Sequence, residues 1–238
     1  MTAYAAVVLA GGAARRMGGR DKPALPVGGR SMRDRVLAAV ADAAPRVLVG
    51  PAGPVPADVL VTREEPPGGG PVAATAAGLA LLHPGTTTVA LLAADLPLLT
   101  REAVAALLEA LEADPGASAS PADGSAPRAA VAEVRLEHPE PHTEPHVEPE
   151  PQAGPDGVCF LDDRGRRQPL CGVWRVAPLR AALGRLAARR DGTLDGAAMR
   201  DLLGELTVRD LPWSGSGPPP WFDCDTDSDV RRAEEWTR

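Results

Sequence analysis

The apolar run AYAAVVLA at residues 3–10 ends directly in Gly11 and Gly12, and after a loop carrying Arg15, Arg16, Gly18, Gly19, Arg20 and Lys22 a helical pattern opens at Ser31. Uninterrupted valines and small apolar residues predict a strand. SMRDRVLAAVADAA, with helically spaced apolar residues behind a serine suited to cap it, predicts a helix. A strand that leaves through glycines into a helix commits the chain to crossover connections. The alternation continues: RVLVG (46–50) and DVLVT (58–62) are short apolar strands split by a Pro/Gly loop, and GPVAATAAGLALL (70–82) is a second helix. TTVALLAAD (87–95) is so continuously apolar that both its faces must be covered, as in the interior of a parallel sheet. Thr100 then caps REAVAALLEALEA as a third helix. The predicted fold is α/β: a three-layer, Rossmann-like, mostly parallel sheet with helices on both faces and right-handed crossovers. Such sheets take ligands at the carboxyl ends of their strands, where the glycine loop and Asp95 both fall.

The chain of 238 residues is 44% apolar, enough for a core, with much of that in alanine and only seven aromatic side chains (four Trp, one Tyr, two Phe). Close packing of helices on a sheet suits this composition better than a sandwich of large side chains. Isoleucine and asparagine are absent, and Lys22 is the single lysine among 25 cationic residues. That bias is the effect of a GC-rich coding sequence, so a retained lysine marks a position that needs one. A net charge of −7 argues against a general nucleic-acid binder. Cys159, Cys171 and Cys224 lack CxxC spacing and indicate neither a disulfide framework nor a structural zinc site, which fits a reducing cytoplasm. The N-terminus lacks the basic and apolar regions of a signal peptide, and no apolar run approaches the ~20 residues of a membrane span. A cytoplasmic protein with no membrane partner is expected; oligomeric state is not readable.

Residues 1–238 read as a single domain carrying a Pro/Glu/His-rich insertion at about 114–156, whose composition predicts disorder around a candidate strand, RAAVAEVRL (128–136). Within it, HPEP, HTEP and HVEP set His138, His142 and His146 four residues apart. On a helix that spacing makes a metal-binding face, but the recurring prolines forbid the helix. Order resumes at VCFLDDRGRRQPLCGVWRV (158–176), two strands joined by an arginine-rich turn. Helices at 177–190 and 194–204, a strand LTVRDL, and a final short strand, acidic turn and capped helix in WFDCDTDSDVRRAEEW complete the chain.

Glycine-rich turns after strands are often merely structural. Here four glycines share the loop with Arg15, Arg16, Arg20 and Lys22, so backbone N–H groups and cations converge as an oligophosphate site requires. The loop is not a P-loop, since Pro23 stands where Ser or Thr must follow the lysine. GGGPVA (68–73) satisfies GxGxxA, but EEPP intervenes after the strand, Pro71 opens the helix and the acidic residue expected about 20 positions on is missing. A dinucleotide-binding dehydrogenase is therefore disfavoured. Asp95 closes the most buried strand, where a carboxylate is costly unless it has a partner.

The longer pattern, LAGG, RMGG, then DK and the Pro-containing LPVGG before a helix, resembles the signature of the molybdenum cofactor guanylyltransferase-like family of nucleotidyltransferases, whose fold is nucleotide-diphospho-sugar transferase-like. The resemblance extends to GGGPVAATAAGL, LLAADLPLLT, QPLCGVWR and, more loosely, FDCDTDSDV. It implies that Leu9, Ala10, Gly11 and Gly12 meet the nucleotide, that Arg16 and Lys22 act on its phosphates, and that Asp95 holds a Mg²⁺ cofactor. A compact ammonium fits close to phosphate oxygens where a planar guanidinium is too large. By the same resemblance Asp225 is a second metal ligand, with capping of the last helix as the structural alternative, and Glu65 is the nucleotide-binding acid after the third strand. GPAG (50–53) replaces an asparagine that often helps to read guanine in the family. Arg15 and Arg20 read as solvated.

The implied activity moves GMP from GTP to a molybdopterin-type phosphate with release of pyrophosphate. GTP, or another NTP, and a phosphate-bearing cofactor acceptor are then the partners, with no nucleic acid. Two alternatives stand beside it: a cytidylyl- or other NTP transferase acting on a different cofactor or sugar phosphate, and a catalytically silent nucleotide-binding regulatory protein.

Overall fold

The order of strands across the sheet decides which loops meet, and in the computed structural model that order is β5-β4-β1-β6-β8-β7-β9. The structure describes residues 3–11, 21–51, 53–113 and 154–238. The strands are β1 (Ala5–Leu9), β2 (Pro26–Val27), β3 (Arg30–Ser31), β4 (Arg46–Val49), β5 (Val59–Thr62), β6 (Thr88–Ala93), β7 (Gly157–Leu161), β8 (Arg167–Arg175) and β9 (Val208–Pro212). The helices are α1 (Met32–Ala39), α2 (Gly70–Ala80), α3 (Arg101–Glu112), α4 (Val176–Ala188), α5 (Met199–Leu203) and α6 (Asp227–Trp236). β1 runs parallel to both neighbours, with Val8 beside Leu48 of β4 and Leu92 of β6. Among the described strands of this sheet β8 alone turns against it, antiparallel to β6 and β7, and β9 then runs parallel to β7.

Successive residues of a strand point to opposite faces, and the central strands feed two separate cores. Ala6, Val8, Leu48, Ala90 and Leu92 join α1 and α3 on one face; Ala5, Val7, Val47, Val49, Val89 and Leu91 join α2, α4 and α5 on the other. This is the predicted three-layer arrangement, and burial on both faces explains why β1 and β6 are apolar at nearly every position. Small residues let the layers close: a Cβ at Gly78 would lie 2.4 Å from Val7 Cγ1, so α2 seats directly on the sheet.

The predicted caps form. The Ser31 side chain accepts from Asp34 N at 3.1 Å and the Thr100 hydroxyl accepts from Ala103 N at 3.2 Å. Two readings change, and one element was not anticipated. LPVGGRS makes a hairpin between β2 and β3, with Gly28 at φ 58° and Gly29 at φ 79°, values that a two-residue turn of this hand requires and glycine supplies. The helix expected at 194–204 shortens to Met199–Leu203, because the preceding loop is held instead by the bond from Gly196 N to Gly69 O, 2.8 Å. No strand forms at Trp221–Phe222, since Trp221 packs on Phe160 with ring centroids 5.4 Å apart rather than extending the sheet.

By its contacts the chain divides into a unit of Met1–Glu112 with Pro155–Arg238, described above, and a second unit, Ala113–Gly154. The expected strand at 128–136, the three histidines and nearly all of the 114–156 insertion lie outside the described residues. Among the described residues no helix is long and apolar enough to cross a membrane.

Candidate active site

β4, β1 and β6 end level with one another: Leu9 is in register with Val49 on one side and Ala93 on the other. Bonds from Ala10 N to Val49 O, 2.7 Å, and from Ala94 N to Leu9 O, 2.9 Å, carry the ladder to the rim. There the backbone of Ala10 and Gly11 opens a cleft of about 970 Å³. Gly50 makes the close approach possible: its φ is 127°, and a Cβ on it would stand 2.8 Å from Gly11 N.

Lys22 reaches this cleft from a short 3-10 turn, Lys22–Ala24, in which Pro23 occupies an initial position that needs no N–H. Its Nζ donates to Asp95 Oδ2 at 2.5 Å and to Asp225 Oδ1 at 2.6 Å. Asp95 follows the end of β6, and Cys224 N donates to its carbonyl at 3.3 Å, which ties the C-terminal segment to the same rim. Burial opposes the charge on Lys22, but the Asp95 carboxylate, the hydrogen bonds to Asp225 and Asp95 and the Asp225 charge outweigh it and raise its pKa. The ammonium therefore stays protonated throughout the neutral range.

The acidic stretch before α6 divides its labour. Thr226 caps the helix, accepting from Asp229 N, while Asp229 accepts from Thr226 N in a reciprocal capping box. Asp225, one residue earlier, is thereby left to face Lys22. Asp223 also lines the cleft, and its pKa is raised, first by burial and then by the negative charges of Asp225 and Asp95. Excess carboxylate is thus concentrated at this point of the rim.

Leu9, Ala10, Gly11, Lys22, Asp95 and Asp225 all line the one cleft, as their sequence positions suggested. Gly12 and Arg16 lie outside the described residues. Glu65 is exposed and does not line the cleft; its neighbour Glu64 does, with 6% of its surface exposed. Glu64 Oε1 accepts from Gly68 N at 2.9 Å, while Oε2 is buried with no hydrogen-bond partner among the described residues. Choosing between two adjacent glutamates requires knowing where the strand ends and turns, which an edge strand of four residues does not reveal. Sequence reasoning also passed over Asp223 and Trp221, both on the cleft wall. FDCDTDSD contained the signal for Asp223 as an acidic run, without a means of telling cap from site.

A mostly parallel sheet whose carboxyl rim joins a glycine-bearing strand end to a lysine and two aspartates defines a nucleotidyltransferase domain of the Rossmann-like type. The family model of the MobA-like NTP transferase domain matches residues 6–207, and the chain belongs to that family. Over 121 residues it is 38% identical to the molybdenum cofactor guanylyltransferase of Bradyrhizobium sp. (strain ORS 278), a match covering 48% of this chain and 57% of that protein. The chain thus spans less than two thirds of that relative's length. Among solved structures, molybdopterin-guanine dinucleotide biosynthesis protein A of Archaeoglobus fulgidus has a TM-score of 0.62 at 18% identity, over 97% of this chain and 96% of its own. The 2-C-methyl-D-erythritol 4-phosphate cytidylyltransferase of Thermus thermophilus has a TM-score of 0.59 at 18% identity, over 98% of each chain. Both likenesses are of fold.

Proposed function

We propose that the protein transfers GMP from GTP to a phosphate on a molybdopterin-type acceptor, releasing pyrophosphate. The observation that carries this reading is the convergence of Lys22, Asp95 and Asp225 beside the backbone of Ala10 and Gly11. An acceptor phosphate oxygen attacks the α-phosphorus, the bond from that phosphorus to the bridging oxygen breaks, and pyrophosphate leaves with the electron pair. No covalent enzyme intermediate is needed, so catalysis rests on in-line positioning and neutralisation of charge. Leu9, Ala10, Gly11 and Gly12 receive the nucleotide, and Lys22 and Arg16 donate to its phosphate oxygens.

Mg²⁺ suits the donor set. Asp95 and Asp225 present hard carboxylate oxygens to one point, and Asp223, whose pKa is raised first by burial and then by their charges, lines the same cleft. Among the described residues no three His, Cys, Asp or Glu side chains form a protein-only metal site. One or two carboxylates with water and phosphate oxygens is the shell Mg²⁺ favours. When bound, the ion supplies positive charge to the phosphate oxygens.

The buried carboxylate of Glu64 favours guanine as the base. It offers acceptors only, and guanine is the base whose Watson–Crick edge presents two adjacent donors, N1–H and the 2-amino group. Cytosine and adenine each place an acceptor beside their amino group, which a carboxylate repels.

The test is pyrophosphate release with each of the four NTPs, in Mg²⁺ and with molybdopterin as acceptor. GTP is expected to be the preferred donor. Lys22→Ala is expected to abolish turnover with the fold retained, and Glu64→Gln to reduce the preference for GTP. Turnover unchanged in Lys22→Ala, or an equal rate with CTP, would reject the reading.

A further inference from the structure

Two carboxylates that converge without a cation repel each other, and here the cation already present belongs to the chain. Lys22 Nζ is bonded to Asp95 Oδ2 at 2.5 Å and to Asp225 Oδ1 at 2.6 Å, with 16% of the lysine side chain exposed. Two of the three ammonium donors are thereby committed to the oxygens that a divalent ion would need. We infer that Lys22 is a resident counter-cation of the Asp95–Asp225 pair, holding the metal position against free divalent ions until a nucleotide's phosphates draw the ammonium away. This rests on the proposed metal-dependent transfer and concerns how that same site is loaded.

The consequence follows from charge accounting. A divalent ion that takes these oxygens evicts the ammonium, which is then partly buried beside a cation of the same sign. Without phosphate nearby, both terms oppose metal binding. With a nucleotide on the Ala10–Gly11 rim, the evicted ammonium gains phosphate acceptors, so metal and nucleotide are favoured to enter as one complex. Lys22 thus links occupancy of the metal position to occupancy of the nucleotide position. Its sequence neighbour Pro23, in the 3-10 turn, limits the backbone freedom of the segment that must release it.

The experiment titrates the full chain with Mn²⁺ alone, without nucleotide or acceptor, and reads free Mn²⁺ by electron paramagnetic resonance. Lys22→Met, which removes the charge, is expected to bind Mn²⁺ about tenfold or more tightly than the unmodified protein, as removal of a like charge at contact distance predicts. Lys22→Arg, which keeps the charge, is expected to stay close to the unmodified protein, separating charge from loss of side-chain packing. Addition of GTP is expected to raise Mn²⁺ affinity more in the unmodified protein than in Lys22→Met. Cooperative thermal melts establish that each variant is folded, and Lys22→Gln serves in place of Lys22→Met should the latter not fold. Mn²⁺ affinity in the neutral variant equal to or weaker than that of the unmodified protein overturns the inference. Because no NTP or acceptor enters the first titration, a preference for a different nucleotide leaves its result untouched. Conversely, failure here leaves the transfer reaction standing.

Discussion

Replacing Gly50 by alanine tests whether the nucleotide rim is held by close packing of backbone on backbone. Two costs add. At φ 127° an L-residue sits in a region it rarely adopts, worth about 1–3 kcal/mol. The new Cβ also stands 2.8 Å from Gly11 N and 3.0 Å from Ala10 C, atoms of the central strand's end that cannot swing aside as a side-chain tip does. Overpacking of this kind costs about 1–3 kcal/mol. Together roughly 2–6 kcal/mol is a large part of the 5–15 kcal/mol typical of a folded domain. For a domain of this size that is a fall in Tm of about 4–24 °C. Thermal unfolding followed by circular dichroism measures it, and isothermal titration with GTP measures the second consequence. Because relief of the clash pushes Gly11 into the cleft, nucleotide affinity should fall even at temperatures where the variant is fully folded. A Tm within about 1 °C of the parent with unchanged GTP binding would refute both the contact and its role in shaping the rim.

Gly78 and Gly184 offer the same substitution with opposite signs. In α4 nothing lies within 4 Å of a Cβ at Gly184, so Gly184→Ala should stabilise by about 0.5–1 kcal/mol through helix propensity and backbone entropy. In α2, Gly78→Ala drives a methyl to 2.4 Å from Val7 Cγ1 and should destabilise by about 1–3 kcal/mol; urea unfolding of the pair checks both signs. Asp223→Asn should raise Tm at neutral pH. Burial and the Asp225 and Asp95 charges raise the folded-state pKa of Asp223, so its penalty is absent below the ordinary carboxylate range and is full above the raised value. Melts across that range should show the variant's advantage shrinking to nothing at acid pH, and an advantage that persists there would exclude the electrostatic cause.

Much of the architecture was legible because it is written in local periodicity. Uninterrupted apolar runs marked β1 and β6 as strands, β6 as one covered on both faces, and Ser31 and Thr100 marked helix starts that the structure retains. A lone lysine in an arginine-rich chain singled out Lys22, and a carboxylate at the end of the most apolar strand singled out Asp95. Those readings need only side-chain alternation, capping and the cost of leaving a charge without a partner. Other assignments needed the assembled sheet. Asp225 meets Lys22 across 203 residues of sequence, because the segment before α6 is tied to the backbone of Asp95. Thr226 takes the cap that otherwise competed for Asp225, and Glu64 rather than Glu65 turns inward where the edge strand ends. Gly50 is indispensable only once Gly11 is laid against it. Which segments become strands and helices, and which residues carry reactive charge, follow from the order of residues, because those properties depend on neighbours along the chain. Which charges pair and which glycines touch follow from three dimensions alone, because they depend on strand order and on the loops it brings to one rim.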